Sequence, residues 1–193
     1  MEMLTGVMAA FGLSASAGLN AYIPLLVISL TARYTDLIQL NSPWDAITSW
    51  WIIGLLIFLS LIEFFADKVP AINHINDTIQ TFVRPVAGAI VFAASANVIT
   101  DMHPVLALAA GVLVSGTVHV VKSAAVRPAV TATTGGAGNV PVSVAEDVFA
   151  TFLSIIAIII PIFIAFVFIL FTALVVWLFW RRNKKGKQIE QTA

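Results

Sequence analysis

Two groups of ionisable residues stand out because each interrupts a strongly apolar run. The first is Glu63, Asp67 and Lys68, followed by Asp77 and Arg84. The second is Lys122 and Arg127, followed after a Thr/Gly/Asn stretch by Glu146 and Asp147. A charge placed in hydrocarbon costs several kcal/mol, so ionisable residues in apolar runs are read first as binding or pathway residues. Glu63 and Asp67 are four apart and share one face of a helix. Lys68, Asp77 and Arg84 extend them into a network of alternating sign. The plainer alternative is an interfacial Glu63 that pairs with Lys68 or Arg84 to fix a loop. Arg84 and Arg127 each precede a proline, as at a helix start or a loop turn. Their planar forks suit bidentate contact with an anionic group, while for Arg84 snorkelling to lipid phosphates is the competing role.

The stretch from Lys122 to Asp147 interleaves small apolar residues with polar ones, which predicts irregular backbone at membrane depth lining a polar cavity. Its core, Thr131, Thr133, Thr134, Gly135, Gly136, Gly138 and Asn139, supplies glycines whose N–H groups can form an anion-binding nest. It lacks the Gly-x-x-x-x-Gly-Lys-Ser/Thr pattern of a nucleotide-binding P-loop. Ser143 followed by Glu146 reads as a capping box for the next helix, and Asp147 suits the positive end of that helix. In the first apolar segment, Asn20 needs a hydrogen-bonding partner and Pro24 frees a backbone carbonyl. The small-residue run from Gly12 to Gly18 fits close helix packing, so tight packing and a discontinuous helix are both open there. His119 reads as a polar contact to a neighbouring helix rather than a proton relay; His74 and His103 read as surface residues. The carboxylates could take a divalent cation in principle, but their spacing is unspecific. No metal-spaced cluster and no nucleophile–base pair is present, so no metal, no cofactor and no enzymatic activity is expected. The candidate substrate-binding residues are Asn20, Glu63, Asp67, Lys68, Asp77, Arg84, Lys122, Arg127, Thr134, Gly135, Gly136 and Asn139.

The elements that position these residues follow from composition. Of 193 residues 60% are hydrophobic and 10% charged, against roughly 25% charged in soluble domains, which predicts an all-α integral membrane protein. Ten basic and ten acidic residues balance, so no global field draws nucleic acid. Without cysteine there is no disulfide and no thiol chemistry. Met1-Glu2-Met3 lacks the basic start of a secretory signal peptide. Candidate spans are 4–32, 48–66, 79–99, 104–121 and a very long run, 146–180. That run exceeds a ~30 Å hydrocarbon core, and Pro161 near its middle predicts a kink or a hairpin. Trp44, Trp50, Trp51, Trp177 and Trp180 sit near span ends as interfacial anchors. The opposite loops, with Arg33, Asp36, Asp45, Asp101 and His103, are poorer in cations. The positive-inside rule therefore puts the Lys68–Arg84 and Lys122–Arg127 connections, the N-terminus and the basic tail 182–193 in the cytoplasm. About six membrane segments satisfy this, or five if Pro161 only kinks a helix. Residues 1–181 form a single transmembrane domain.

A shift of 58 residues places 48–66 over 106–124 and 82–99 over 140–157, the pattern of a possible parallel repeat. A second echo pairs the break Ala17–Pro24 with Ala137–Pro141. The residues Glu63-Phe-Phe-Ala-Asp67-Lys68-Val-Pro70, Asp77, Arg84-Pro85, Thr133–Asn139, Pro141 and Glu146-Asp147 resemble the bacterial domain-of-unknown-function family 4126 over nearly the whole chain. That resemblance implies a small polytopic protein of the bacterial cytoplasmic (inner) membrane and supplies no substrate.

The functional expectation is a small membrane transporter or channel-like protein, probing as partners membrane lipids, further copies of itself as a homo-oligomer, and a small polar or anionic solute, ion or lipid headgroup. The alternative is a non-transport scaffold that docks a cytoplasmic protein on its polar loops. The two differ in whether a cavity stands behind those loops.

Overall fold

The computed structural model describes residues 2–68, 70–97 and 102–164 and, beyond them, 166, 167, 169, 170, 173, 177 and 181. The tail 182–193, Trp180 and Asp101 lie outside the described residues, as does the side chain of His74. The described residues are helical and include no strand. The helices are α1 (Glu2–Leu19), α2 (Tyr22–Tyr34), α3 (Trp50–Ala66), α4 (Pro70–Asn97), α5 (Pro104–Val121), α6 (Arg127–Thr134) and α7 (Asn139–Ile159), with a 3₁₀ turn at Trp44–Thr48 and a π turn at Lys122–Val126. Three stretches, Ile75–Ala96, Pro104–Thr134 and Asn139–Ile159, are long and apolar enough to cross a membrane, and α1, α2 and α3 supply shorter apolar helices.

Helix α1 is the axis of the bundle, and its small residues explain why. Ser14 Oγ donates to Gly88 O on α4 (3.2 Å) and to Gly111 O on α5 (3.0 Å). Ser16 Oγ donates to Ala150 O on α7 at 2.8 Å and meets Ser154 Oγ at 2.8 Å. A Cβ on Gly18 would stand 2.6 Å from Val118 Cβ, and one on Gly12 would stand 2.7 Å from Ala157 Cβ. Close packing and helix interruption, the two readings of the first segment, therefore both occur: the packing runs to Gly18 and the break follows at Asn20. The expected single span 4–32 is instead two helices, because Asn20 Oδ1 accepts from Tyr22 N (3.1 Å) and Ile23 N (3.0 Å), starting a new helix.

These contacts also order the directions. Helix α1 runs parallel to α5 and antiparallel to α4 and α7. Helix α2 returns, since the 3₁₀ turn that follows it packs Trp44 against the cluster of Ala10, Phe92 and Ala107. Helix α3 then runs against α2: Arg33 Nη1 donates to Thr48 O, and Glu63 accepts from Ala21 N. The start of α1 consequently packs beside Phe92 and Ala107, at the His103 end. This corrects the sequence expectation that the chain begins on the same side as Lys68–Arg84, which depended on an uninterrupted first span.

Three further corrections concern loops. Pro85 lies inside α4 and starts no helix. The 122–147 stretch is not irregular, because helix continues through the π turn to Thr134 and only 135–138 turn. Ser143 and Glu146 do not cap α7, which begins at Asn139 with Gly138 in the N-cap position and no side-chain cap. At the other end, Ile160 leaves helical geometry (φ −133°, ψ 63°) before Pro161. Ile164 Cγ1 lies 3.1 Å from the same Gly12 Cβ position that Ala157 approaches. Residues seven apart on a straight helix are about 10.5 Å apart along its axis, so the chain bends sharply at Ile160.

Gly88→Ala would drive its new methyl into Ser115 and to 2.9 Å of Ser14 Oγ, whereas Gly54 has open space around it. Thermal unfolding in detergent should show Gly88→Ala destabilised by about 1–3 kcal/mol. Gly54→Ala, in the middle of α3, should gain about 0.5–1 kcal/mol.

Candidate functional site

The ionisable residues come together where α1 ends, α2 begins, α3 ends and α7 begins. Periodicity explains each contribution. Glu63 and Asp67 point inward one turn apart from the end of α3. On α4, Asn76, Gln80 and Arg84 recur every four residues and all are buried. On α7, Ser143 and Asp147 do the same, with Glu146 beside them. Lys122 and Arg127 are five apart, a spacing that on an α-helix would point them about 140° apart. The π turn removes that mismatch: Arg127 N donates to Lys122 O, the i→i+5 closure that brings residues five apart onto one face.

Asp67 is the node. Its Oδ2 receives Arg127 Nη2 at 2.9 Å and lies 3.8 Å from both Arg84 Nη2 and Lys122 Nζ. Its Oδ1 accepts from Asn76 Nδ2 at 2.7 Å, and Ser143 Oγ approaches Oδ2 at 3.5 Å. Burial pushes the Asp67 carboxyl up, but Lys122, Arg127 and Arg84, with the Asn76 hydrogen bond, hold it below the ordinary value.

The remaining pairs surround this node. Arg84, fully buried on α4, binds Glu63 Oε1 at 2.9 Å. Its other terminal nitrogen meets His119 Nδ1 at 3.1 Å, and His119 Nε2 meets Thr81 Oγ1 at 3.1 Å. His119 is thus a polar contact between α4 and α5. Lys122 Nζ binds Glu146 Oε2 at 2.9 Å and donates to Leu19 O at 2.8 Å, covering a carbonyl at the end of α1. Lys68 Nζ binds Asp147 Oδ2 at 3.1 Å and lies 3.2 Å from the centre of the Phe64 ring. Asp147 Oδ1 accepts from Asn20 Nδ2 at 3.0 Å. Asn20 therefore caps α2 with its oxygen and holds α7 with its nitrogen.

Beside this network lies a cavity of about 710 Å³, lined by Asp67, Lys68, Asp77, Arg127, Thr131, Gly135, Gly136 and Asn139 among others. Of the twelve residues singled out from the sequence, seven line it: Asp67, Lys68, Asp77, Arg127, Gly135, Gly136 and Asn139. Asn20, Glu63, Arg84 and Lys122 are buried in the network. Thr134 belongs to neither group, since its hydroxyl donates to Val130 O and accepts from Gly138 N. Gly135 and Gly136 take positive φ (61° and 92°) to end α6, so the turn itself, rather than anion binding, accounts for both glycines. Asn76, Gln80, Glu146, Asp147 and Ser143 were not among the twelve. The every-fourth-residue polar stripe on α4 was the signal for the first two. Among the described residues no group of three or more His, Asp or Glu side chains is placed to hold a metal ion.

The fold and the site together define a small helical bundle with an apolar exterior and a buried ionic cluster at one end. The chain belongs to the family described as Domain of unknown function (DUF4126), which it matches over residues 7–181. No curated protein and no solved structure matches it.

The central pair supplies a test. Arg84→Met leaves Glu63 buried with its main ion partner gone, which should cost about 3–5 kcal/mol. Adding Glu63→Gln removes the stranded charge while keeping an acceptor for Ala21 N. Denaturation of the two variants should show the double substitution clearly more stable than Arg84→Met alone.

Proposed function

We propose that this protein is a small multi-pass transporter or channel-like protein of the bacterial cytoplasmic membrane, moving a small polar solute or ion through the site around Asp67. One observation carries the reading: a largely buried network of nine ionisable side chains, paired cation to carboxylate, borders a cavity of about 710 Å³. Structural need alone explains such a network poorly. A buried ion pair is often no more stabilising than well-packed apolar residues, and intramembrane charges mark solute pathways by default. The scaffold alternative expects exposed polar loops with nothing behind them; Thr131, Thr133 and Thr134 are exposed as it expects, but Thr131, Gly135, Gly136 and Asn139 line a cavity, which favours the transport reading.

In this reading the cluster end faces the cytoplasm, as the positive-inside rule asks. The start of α1 then faces the opposite side. The bend at Ile160 begins a returning seventh segment that brings the basic tail back to the cytoplasm. The exposed faces of α3 and α7, with Phe58, Leu61, Phe65, Phe149 and Phe152, meet lipid or another copy in a homo-oligomer.

Flux assays in proteoliposomes test the proposal. Asp67→Asn and Arg127→Ala should each lower the transport rate at least about tenfold. Rates unchanged in both variants for every solute carried would place the pathway elsewhere. Cysteine labelling separates transport from docking on this naturally cysteine-free chain: Asn139→Cys should react slowly and Thr133→Cys freely. Uniformly fast reaction from 131 to 143 would support the scaffold.

A further inference from the structure

The network contains four cations, Lys68, Arg84, Lys122 and Arg127, and five carboxylates, Glu63, Asp67, Asp77, Glu146 and Asp147. The close contacts pair them one to one. Lys68 takes Asp147 at 3.1 Å, and Arg84–Glu63, Lys122–Glu146 and Arg127–Asp67 each close to 2.9 Å. The carboxylate left over is Asp77. Its ion contact is the longer one of 3.6 Å to Arg127 Nη1, whose other terminal nitrogen already holds Asp67, and its side chain is the most exposed of the nine at 27%. Asp77 also lines the large cavity. The surplus of one negative charge therefore sits at the wall of the cavity rather than in the sealed part of the network.

We propose that the cavity binds a small organic ammonium compound carrying a single positive charge, with Asp77 as its counter-ion. This rests on the transport reading in using the same cavity and deepens it by naming the ligand class. Charge decides the sign. An anion would find each cation already committed to a carboxylate, and would have to displace one at the cost of stranding it. A monocation neutralises the site without disturbing any of the four close pairs. Helix ends do not set the sign, since the last turn of α6 and the first residues of α7, Asn139 and Val140, both line the cavity and their partial charges oppose each other. Size favours an organic cation over a bare alkali ion. About 710 Å³ is within the roughly 300–1,000 Å³ of organic-ligand sites, and Pro128, Ala132 and Val140 give it apolar walls beside the polar Thr131 and Asn139. Asp77 supplies the charge, Thr131 and Asn139 the hydrogen-bonding edge, and those apolar residues the contact for carbon.

Equilibrium binding to the purified full chain in detergent tests this without any flux measurement. Ethylammonium chloride should raise the thermal midpoint saturably by mass action, beyond the effect of potassium chloride at equal ionic strength. Asp77→Asn, which keeps the side-chain shape, should weaken the ethylammonium effect at least about tenfold. Asp77→Glu should restore most of it, which a purely structural role of the position would not produce. Equal effects of ethylammonium and potassium would overturn the organic ligand class. Saturable stabilisation by sodium phosphate with none by ethylammonium would overturn the sign of the charge. A wild-type response retained in Asp77→Asn would overturn the counter-ion. If proteoliposomes carry an anion or a neutral solute while ethylammonium does not bind, transport stands and this inference fails. If ethylammonium binds through Asp77 but no solute is carried, the reverse holds.

Discussion

The structure depends on one constraint: a carboxylate shut away from water must be surrounded by charge of the opposite sign. Asp67 meets that constraint with three cations, an amide and a hydroxyl drawn from α4, α7 and the continuous helix from 104 to 134. Because these partners come from different helices, satisfying one side chain fixes how the helix ends meet. Glu63 repeats the logic with α2, whose first free N–H group it accepts. The cluster thus stands where a soluble protein would place loops and water.

Such convergence requires helices to come very near one another, and α1 makes this possible. Its serines and glycines let backbones approach until hydroxyls reach carbonyls on neighbouring helices. A chain with larger residues there would hold α4, α5 and α7 farther from the axis. Their inward charges could not then span the gap. The small-residue core and the ionic end are two halves of one design, in which close approach at one level makes charge pairing possible at the next.

Much of the site was legible because charged residues in apolar runs are few and costly. Glu63, Asp67, Arg84, Lys122 and Arg127 announce themselves on those grounds. Glu63 with Arg84 was one of the pairings the sequence offered, and the structure forms it; the others were not legible, because they join segments far apart in sequence: Asn20 with Asp147, Lys68 with Asp147, Arg127 with Asp67. The capping motif misled for a definable reason. Ser-x-x-Glu has the same spacing as two inward positions on one helix face, and α7 had already begun four residues earlier. The break at Asn20 was visible as a possibility, but only its two hydrogen-bonded roles decide between a kinked helix and two helices. The orientation of the chain's start followed the same error, since two helices read as one span reverse everything before them. The bend at Ile160 matched its proline, while the path beyond falls largely outside the described residues.

The π turn between Lys122 and Val126 gives this part of the chain one residue that its winding does not need. Its backbone accommodates one residue more than an α-helical turn, and side chains there such as Val126 are exposed. Exchanging such a residue for another of similar size leaves the winding intact. Deleting it would rewind the turn as ordinary helix with Lys122 and Arg127 four apart, about 40° from one another, so the face they share survives. Inserting a further residue would instead rotate everything after it by about 100°, taking Arg127 away from Asp67. In a family of related chains this segment would therefore tolerate losing one residue more readily than gaining one.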